Sequence, residues 1–313
     1  MIKVFQDFSE VEDIWESLVP KSQTATLFQT FEWQKNWWEH FGKGKIWLLE
    51  IKEGEELIGL ASFEEKDGVL NFLGTNKVLG RELVTDYGDI VAKRGKEEGC
   101  WRKILEFFKI PKDFHFIREE SQSLEVLGKL GGKVEVEDRA PYIDLPSTWE
   151  EYLMSLSRKS RHELRRKMRK FETAGLSQTC LSQNYHGDIT EFFALFKQTS
   201  GEKREFLTTQ MSDFLKSLGE IFLPRGILEL CFLELEGKKT AATLSFVFKN
   251  ETLLYNSGFD QEFTSLVPGL ILKAQLIKRA IEEGRSRFDF LRGKERYKYD
   301  LGGKDQKLYR IRL

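Results

Sequence analysis

The sequence predicts an α/β (α+β) fold made of two tandem units, each a mixed, mainly antiparallel sheet flanked by helices. Three observations predict it. The order helix, hairpin, strand, helix, strand occurs twice along the chain. Residues 54–63 align without gaps on residues 237–246, with a shared Gly, Ser and Phe. The 313 residues are 40% hydrophobic with only six prolines, which suffices for two cores. We place the boundary in the stretch RAPYIDLP, which gives units of residues 1–143 and 144–313.

Apolar periodicity and turn residues predict the elements of the first unit. Helices are expected over residues 9–18, 28–41, 97–109 and 123–130, and strands over residues 46–51, 57–64, 69–73, 83–91, 114–117 and 133–136. In the third helix Trp101, Leu105 and Phe108 follow each other at spacings of four and three. The aromatic helix 28–41 carries Trp33, Trp37 and Trp38, which we assign to the core rather than to a sugar-binding platform.

The second unit repeats this order after two capping boxes, STWE at 147–150 and SRHE at 160–163. Helices are expected at 149–156, from 160 onward, and at 189–199, 208–218 and 269–283. Strands are expected at 227–235, 240–248, 252–258, 287–291 and 308–313. Leu270, Ala274, Ile277 and Ile281 line one face of the helix 269–283, and Gly284 stands where a C-terminal cap belongs.

Charge and cysteine content exclude several classes of protein. The net charge is −1, so a footprint for DNA over the whole protein is not expected. Cys100, Cys180 and Cys231 are far apart and form no CxxC pair, which argues against a disulfide scaffold and a metal site. The N-terminal residues lack a signal-peptide core, and no apolar run reaches the ~18 residues of a membrane span. We therefore expect a cytoplasmic protein without a membrane span.

Two polar stretches stand out from this background. In FDFLRGKERYK, residues 288–298, Asp289 lies between two phenylalanines, so its carboxylate either pairs with a cation such as Arg292 or opens into a cleft. The stretch 157–170 is rich in Arg and Lys, which fits a surface for nucleic acid or membrane or a solvated helix. The narrow stripe of Leu164, Met168 and Phe171 favours the solvated helix packed on a sheet.

Four stretches in this order resemble one family: TDYGD at 85–89, the basic helix at 157–169, YNSGFD at 255–260 followed by VPGLIL at 267–272, and the stretch 288–298. Together they are similar to the GNAT acyltransferases, in particular to the GNAT group associated with cellulose and exopolysaccharide biosynthesis. That group in turn resembles the FemABX transferases, which have two GNAT-like domains in tandem.

The resemblance implies an acyl thioester, acetyl-CoA or another acyl-CoA, held between the strands 252–258 and 287–291 where these diverge. Tyr255 and Asn256 would contact this co-substrate. Its pyrophosphate would lie on the N–H groups of Gly269, Leu270 and Ile271, since a helix N-terminus binds anions. The chain departs from the family pattern here, because it has one Gly and a Pro without an N–H group.

The resemblance also implies roles for side chains. Asp289 would accept or relay the proton of the attacking amine, and Tyr297 would return a proton to the leaving group. The remaining substrate contacts are expected from Asp86, Tyr87, Arg161, Arg292, Glu295 and Lys298. The first unit, which has no counterpart of the phosphate-binding helix start, would have lost donor binding and would supply part of the acceptor site.

These expectations define an acyltransferase that transfers an acyl group from acyl-CoA to an amine, on an amino sugar or a cell-envelope or polysaccharide precursor. The alternatives are a FemABX-like transferase that uses aminoacyl-tRNA, which is the one case with an RNA partner, and a non-catalytic binding protein that retains the fold.

Overall fold

A computed structural model describes residues 1–75 and 84–313 of the chain. It divides into two compact units, one of Met1–Arg139 with Gln306–Leu313 and one of Ala140–Asp305. The division at residue 139 lies four residues before the boundary expected from the sequence. The last eight residues differ from that expectation because Leu308 and Tyr309 pair with Arg118 and Ile117 of the first unit.

The first unit opens with a strand and two helices and continues with a hairpin. Its elements are β1 (Ile2–Phe5), α1 (Glu12–Leu18), α2 (Phe31–Phe41), β2 (Lys45–Glu53), β3 (Glu56–Lys66), β4 (Val69–Phe72), β5 (Val91–Ala92), α3 (Glu97–Phe107), β6 (Asp113–Arg118) and α4 (Gln122–Lys129). The strands β1, β2, β3 and β4 are neighbours in that order, all antiparallel, and β5 pairs with β3. Trp33 and Trp37 are buried, which confirms their place in the core, whereas Trp38 is half-buried and lies at its edge.

The strand expected over residues 83–91 is not formed by the residues that can be described. Residue 83 lies outside the described ranges, residues 84–90 form no strand, and only Val91–Ala92 pair with β3. The backbone donors of this stretch are used elsewhere. Gly88 N–H donates to Phe116 O, and Ile90 N–H donates to the carboxylate of Asp89.

The second unit begins within a long strand and contains most of the helices. Its elements are β7 (Lys133–Asp144), α5 (Trp149–Ser155), α6 (Arg158–Glu172), β8 (Ser177–Leu181), α7 (Tyr185–Thr199), α8 (Gly201–Phe206), α9 (Thr209–Phe222), β9 (Leu228–Leu235), β10 (Lys238–Phe248), β11 (Glu251–Phe259), α10 (Pro268–Glu282), β12 (Arg287–Asp289) and α11 (Arg296–Asp300). The last strand, β13 (Lys304–Arg312), lies mostly in the first unit, where it pairs with β6. The sequence did not predict β8, α8 or α11, which are all short.

The sheet of the second unit has the neighbour order β7, β12, β11, β10, β9, β8. Within this order β11 and β12 form the one parallel pair, and every other neighbouring pair is antiparallel. Apolar side chains of α5, α6 and α10 form a core cluster with those of the central strands. The parallel pair is therefore fixed on one side by α10, the helix that connects its two strands.

The two hairpins that align in sequence are tight in both units. Glu53 pairs with Glu56, and Leu235 pairs with Lys238, so each loop has two residues. Gly54 and Gly237 both have positive φ, which suits glycine in such loops. The structure thus confirms the predicted α+β fold, with mostly antiparallel sheets and flanking helices.

Candidate functional site

The parallel strands β11 and β12 diverge after three residue pairs. Glu251, Thr252 and Leu253 pair with Arg287, Phe288 and Asp289, and no further pair is recorded among the described residues. The strand β11 continues to Phe259, whereas the chain after β12 turns away. The predicted opening between these two strands is therefore present.

The turn after β12 explains why the pairing stops. Phe290 N–H donates to Pro141 O at 2.9 Å instead of to β11. Leu291 has φ of 56°, a left-handed conformation that is unusual for a residue of its size. Asp289 is buried, and its Oδ1 accepts the Leu291 N–H at 2.7 Å, so this carboxylate holds the turn. Phe288 and Phe290 share a face as expected, with ring centroids 5.1 Å apart.

The outer end of β11 is covered by side chains of the same unit. Lys203, on α8, donates from its ammonium to Ser257 O. Phe259 N–H donates to Thr199 Oγ1 at 3.0 Å, at the end of α7. In a β-strand the N–H and C=O of one residue point to the same side. The edge of β11 that a ligand between β11 and β12 would meet is therefore covered from Ser257 onward. Tyr255 and Asn256, the two contacts expected on β11, lie just before it and are half-buried.

At the start of α10 we expected unpaired N–H groups at Gly269, Leu270 and Ile271, and two of these groups are bonded. Leu270 and Ile271 N–H both donate to Val267 O, at 3.0 and 3.2 Å, which corrects the expectation for these two groups. Val267 is the N-cap residue of α10, and the carbonyl of an N-cap residue accepts the first bonds of the helix. Gly269 packs against Phe259, where an added Cβ would lie 3.3 Å from the ring.

A buried lysine, which the sequence reasoning missed, lies behind this helix start. Lys273 is 6% exposed, and its Nζ donates to Gly269 O at 3.1 Å. Burial, reinforced by the nearby positive charge of Lys203, lowers the pKa of Lys273 to about 7. The available signal was that Lys273 is the one charged residue in the run 267–277.

Tyr297 lies beside this lysine on α11. The Nζ of Lys273 is 4.6 Å from the centroid of the Tyr297 ring, and that ring packs edge-on against Phe290 at 6.2 Å. Burial raises the pKa of the Tyr297 hydroxyl well above its ordinary value, so the group stays protonated at neutral pH. Its expected role as proton donor to the leaving group stays a prediction.

The other predicted contacts near β12 have different environments. Lys298 is buried, and its ammonium donates to the carbonyls of Leu291, Arg292 and Gly293 at 3.0, 2.8 and 3.3 Å. It also pairs with Glu295 at 2.9 Å. Lys298 therefore stabilises the turn after β12, and its expected contact with substrate stays a prediction. Arg292, another predicted substrate contact, is half-buried, and its backbone forms part of this turn.

The basic helix α6 borders two cavities. The larger, about 1040 Å³, lies along α5 and α6 and includes the predicted contact Arg161, whose Nη1 lies 3.4 Å from Met154 O. The smaller, about 360 Å³, is lined by Lys159, Lys167 and Arg296 together with Leu270 of α10. Arg165, Arg166 and Lys167 pair with acidic residues, whereas no ion pair is recorded for Lys159 among the described residues. Cationic side chains thus lie beside the start of α10.

The two residues predicted in the first unit are buried there. Tyr87 is 2% exposed, its ring packs on Phe28 and Arg118 at 5.6 and 5.5 Å, and its carbonyl accepts from Gln29 at 2.7 Å. Tyr87 is therefore a core residue, which corrects its assignment as a substrate contact. Asp86 is 8% exposed.

Neighbouring Asp89 accepts hydrogen bonds from Ser121 and Ser123, both at 2.5 Å. Burial nevertheless raises the pKa of Asp89 to about 6.

Two further observations concern metals and membranes. Among residues 1–75 and 84–313 no group of three His, Cys, Asp or Glu side chains is arranged to hold a metal ion. Over the same residues, no helix has the length and apolar character needed to cross a bilayer.

Comparison with known proteins finds one family model that matches part of the second unit. Residues 158–299 match the family model described as an acetyltransferase (GNAT) domain. The match contains β11, α10, β12 and most of α11, and so includes Lys273 and Tyr297. No curated protein matches the chain.

Solved structures with the same fold cover nearly the whole chain. FemX shares 12% identity at a TM-score of 0.68, over 99% of this chain and 96% of that one. A conserved protein of unknown function from Bacteroides thetaiotaomicron VPI-5482 shares 13% at 0.67, over 100% of both chains. The C-terminal domain of a putative lysylphosphatidylglycerol synthetase from Agrobacterium fabrum shares 10% at 0.63, over 98% and 92%. At these identities the similarity establishes the fold, and function has to come from the site.

Proposed function

We propose that this protein is a GNAT-type acyltransferase that transfers an acyl group from acyl-CoA to an amine. The acceptor would be a small-molecule or sugar-linked amine, such as an amino sugar or a precursor of the cell envelope or of a polysaccharide. One observation carries the proposal: β11 and β12 part after three residue pairs inside the region that matches the GNAT domain. A buried amino group, that of Lys273, and the partly buried Tyr297 lie near the ends of these two strands.

The donor would bind with its acyl end between β11 and β12. Backbone N–H groups of residues 252–258 would polarise its carbonyl, because preorganised donors stabilise the charge that develops on the oxygen. Its phosphates would lie beside the start of α10, in the smaller cavity with Lys159, Lys167 and Arg296. These side chains would compensate for Leu270 and Ile271, whose N–H groups are bonded to Val267 O.

The reaction would depend first on positioning, which can supply much of the rate enhancement in a transfer between two bound reactants. The Tyr297 hydroxyl, kept protonated by burial, would donate a hydrogen bond to the charge that develops on the leaving sulfur. Asp289 would act through the turn that it holds, since its Oδ1 accepts the Leu291 N–H.

A second candidate is transfer from aminoacyl-tRNA, and two observations favour it. The N–H groups of Leu270 and Ile271 and the carbonyl of Ser257 are bonded within the unit, which removes backbone groups that an acyl-CoA would use. The exposed helix α6 also presents Arg158, Lys159 and Arg169, for which no ion pair is recorded in the described part of the chain. Such a surface suits an RNA backbone.

Calorimetry with acetyl-CoA tests the first candidate. The wild type should bind, and Lys159→Ala should weaken binding about tenfold, or ~1.4 kcal/mol, through loss of one phosphate contact. The matched control is Lys278→Ala, because Lys278 is an exposed lysine on α10 that pairs with Glu282. No binding of acetyl-CoA by the wild type would contradict the acyl-CoA proposal.

Filter binding with aminoacyl-tRNA tests the second candidate. If it is correct, affinity should fall steeply between about 50 and 200 mM salt, since each neutralised phosphate releases counterions. Binding of tRNA with this dependence, together with no heat from acetyl-CoA, would replace the first candidate by the second. Absence of both would favour a binding protein without this chemistry.

A further inference from the structure

Lys273 is positioned between the ends of the two diverging strands. Its Nζ bonds to Gly269 O, and Gly269 packs on Phe259 at the end of β11. On its other side the Nζ faces the ring of Tyr297, which packs on Phe290 directly after β12. The amino group is therefore linked through Gly269 to Phe259 at the end of β11 and through Tyr297 to Phe290 directly after β12.

The groups around this amine come from three elements. Lys203 approaches from α8, Glu295 precedes α11, and Lys298 and Tyr297 lie on α11. Glu295 is already paired with Lys298. No ion pair is recorded for Lys273 within the described residues, and its recorded hydrogen bond goes to a neutral carbonyl. A buried ammonium in such surroundings is costly, whereas a neutral amine is not.

We infer that Lys273 is the proton acceptor of the acyl transfer, taking the proton that the attacking amine loses. This inference rests on the proposed function. The acceptor nitrogen attacks the donor carbonyl carbon, an N–C bond forms, and the bond from that carbon to the leaving sulfur breaks. The proton passes from the nitrogen to the neutral Lys273 amine and then to the leaving sulfur. Lys273 ends uncharged, and no oxidant or further reactant is needed.

The lowered pKa of about 7 supports this role, because a general base works best when its pKa lies near the operating pH. Lys203 and Lys298 both favour the neutral form, and Glu295 opposes it. The Oδ1 of Asp289, the acceptor expected from the sequence, accepts the N–H of Leu291, and the role of Asp289 in proton transfer stays a prediction.

The kinetic test measures acetyl transfer from acetyl-CoA to glucosamine and to other simple amines, from about pH 6 to about pH 9. The wild type should show a rising limb in kcat/KM with a midpoint near 7. Lys273→Met should lose this limb and about 10² to 10⁴ in kcat, as expected when positioned proton transfer is removed. Lys273→Arg keeps a charge and should be equally inactive, whereas Lys278→Met should match the wild type. A Lys273→Met variant with the wild-type pH profile would overturn the inference.

A second measurement does not depend on turnover. Trace acetylation with acetic anhydride at each pH, quantified by mass spectrometry, measures how readily each lysine amine reacts with an acyl carbonyl. Lys273 should react with a midpoint near 7, and exposed Lys278 with the midpoint of an ordinary lysine, about 10.4. Lack of labelling at Lys273, or an ordinary midpoint there, would overturn the inference. If the wild type acylates no amine, the proposed function fails. The labelling then still tests whether Lys273 is a neutral amine near pH 7.

Discussion

Replacing Lys273 by methionine should make the protein more stable at neutral pH. In the folded chain the pKa of Lys273 is about 7, against 10.5 for the ordinary side chain. Folding at pH 7 therefore expels a proton that the unfolded chain would keep. The two pKa values differ by about 3.5 units, which at 1.36 kcal/mol per unit costs roughly 5 kcal/mol well below pH 7, and about 4 kcal/mol at pH 7, where half of the folded amine is neutral. Methionine, an unbranched apolar side chain, avoids that cost.

The net gain is smaller because the variant loses one hydrogen bond. The bond from Lys273 Nζ to Gly269 O contributes about 1 kcal/mol. We expect Lys273→Met to be more stable by about 3 kcal/mol at pH 7, which corresponds to roughly 6–12 °C in the melting temperature of a unit of this size. The substitution should abolish activity at the same time, since stability is commonly lost at functional sites.

The pH dependence gives the sign of the effect. The folded pKa is depressed, so the wild-type chain loses stability as pH falls from about 10.5 to about 7 and no further below that. The advantage of Lys273→Met should be largest below pH 7 and should shrink as pH rises. Thermal melts at several pH values measure this, with Lys278→Met as the control that shows no such trend. A destabilised Lys273→Met, or a difference independent of pH, would refute a neutral buried amine.

Three further substitutions test other parts of the structure. Asp89→Asn should stabilise the first unit by about 1 kcal/mol at pH 8 and should not stabilise it at pH 4. Burial raises the pKa of Asp89 to about 6, so the wild-type unit loses stability as pH rises through 6. The melting temperatures of both proteins at the two pH values test this. Gly258→Ala should lower the melting temperature, since its Cβ would lie 2.4 Å from Phe196 N and overpacking costs about 1–3 kcal/mol. An unchanged melting temperature would mean that the backbones of β11 and α7 lie further apart than described. Asp289→Ala should cost about 1–3 kcal/mol by leaving Leu291 N–H without its acceptor, whereas Asp289→Asn retains an oxygen there. A loss of about 10² in kcat for Asp289→Asn at an unchanged melting temperature would instead restore its role in proton transfer.

The sequence predicted the elements whose pattern is local. The helix α10 follows from the apolar spacing of Leu270, Ala274 and Ile277, and all but Leu270 of these are fully buried. The hairpins follow from Gly54 and Gly237, which take the positive φ that the loops require. Local patterns of this kind are set by the period of the element and the chemistry of the turn.

What the sequence could not predict depends on distant partners. Residues 84–90 are apolar enough for a strand, but the N–H of Gly88 bonds to Phe116, far along the chain. The residues of α8 carry no apolar periodicity, and the contact of this short helix with β11, from the Lys203 ammonium to Ser257 O, joins residues far apart in the sequence.

The candidate functional site was predicted only in part, because its details depend on contacts that sequence patterns do not show. The opening between β11 and β12 was expected from the order of elements, and its place is set by Leu291 and Pro141 after β12. Asp289 was assigned to proton transfer, because an acid between two phenylalanines has no visible partner in the sequence. Its partner is a backbone N–H two residues away, which sequence patterns do not reveal. Lys273 was missed because a single lysine in an apolar helix is ordinarily solvated.

The central claim is that an acyl donor binds in the second unit, between β11 and β12 and beside the start of α10. Crosslinking with a photoreactive acyl-CoA analogue, followed by mass spectrometry of the labelled peptides, tests it most directly. We predict labels within residues 251–273, reduced by an excess of unlabelled acetyl-CoA and weakened by Lys159→Ala. Labels confined to residues 84–91 of the first unit, with none in residues 251–273, would contradict the claim.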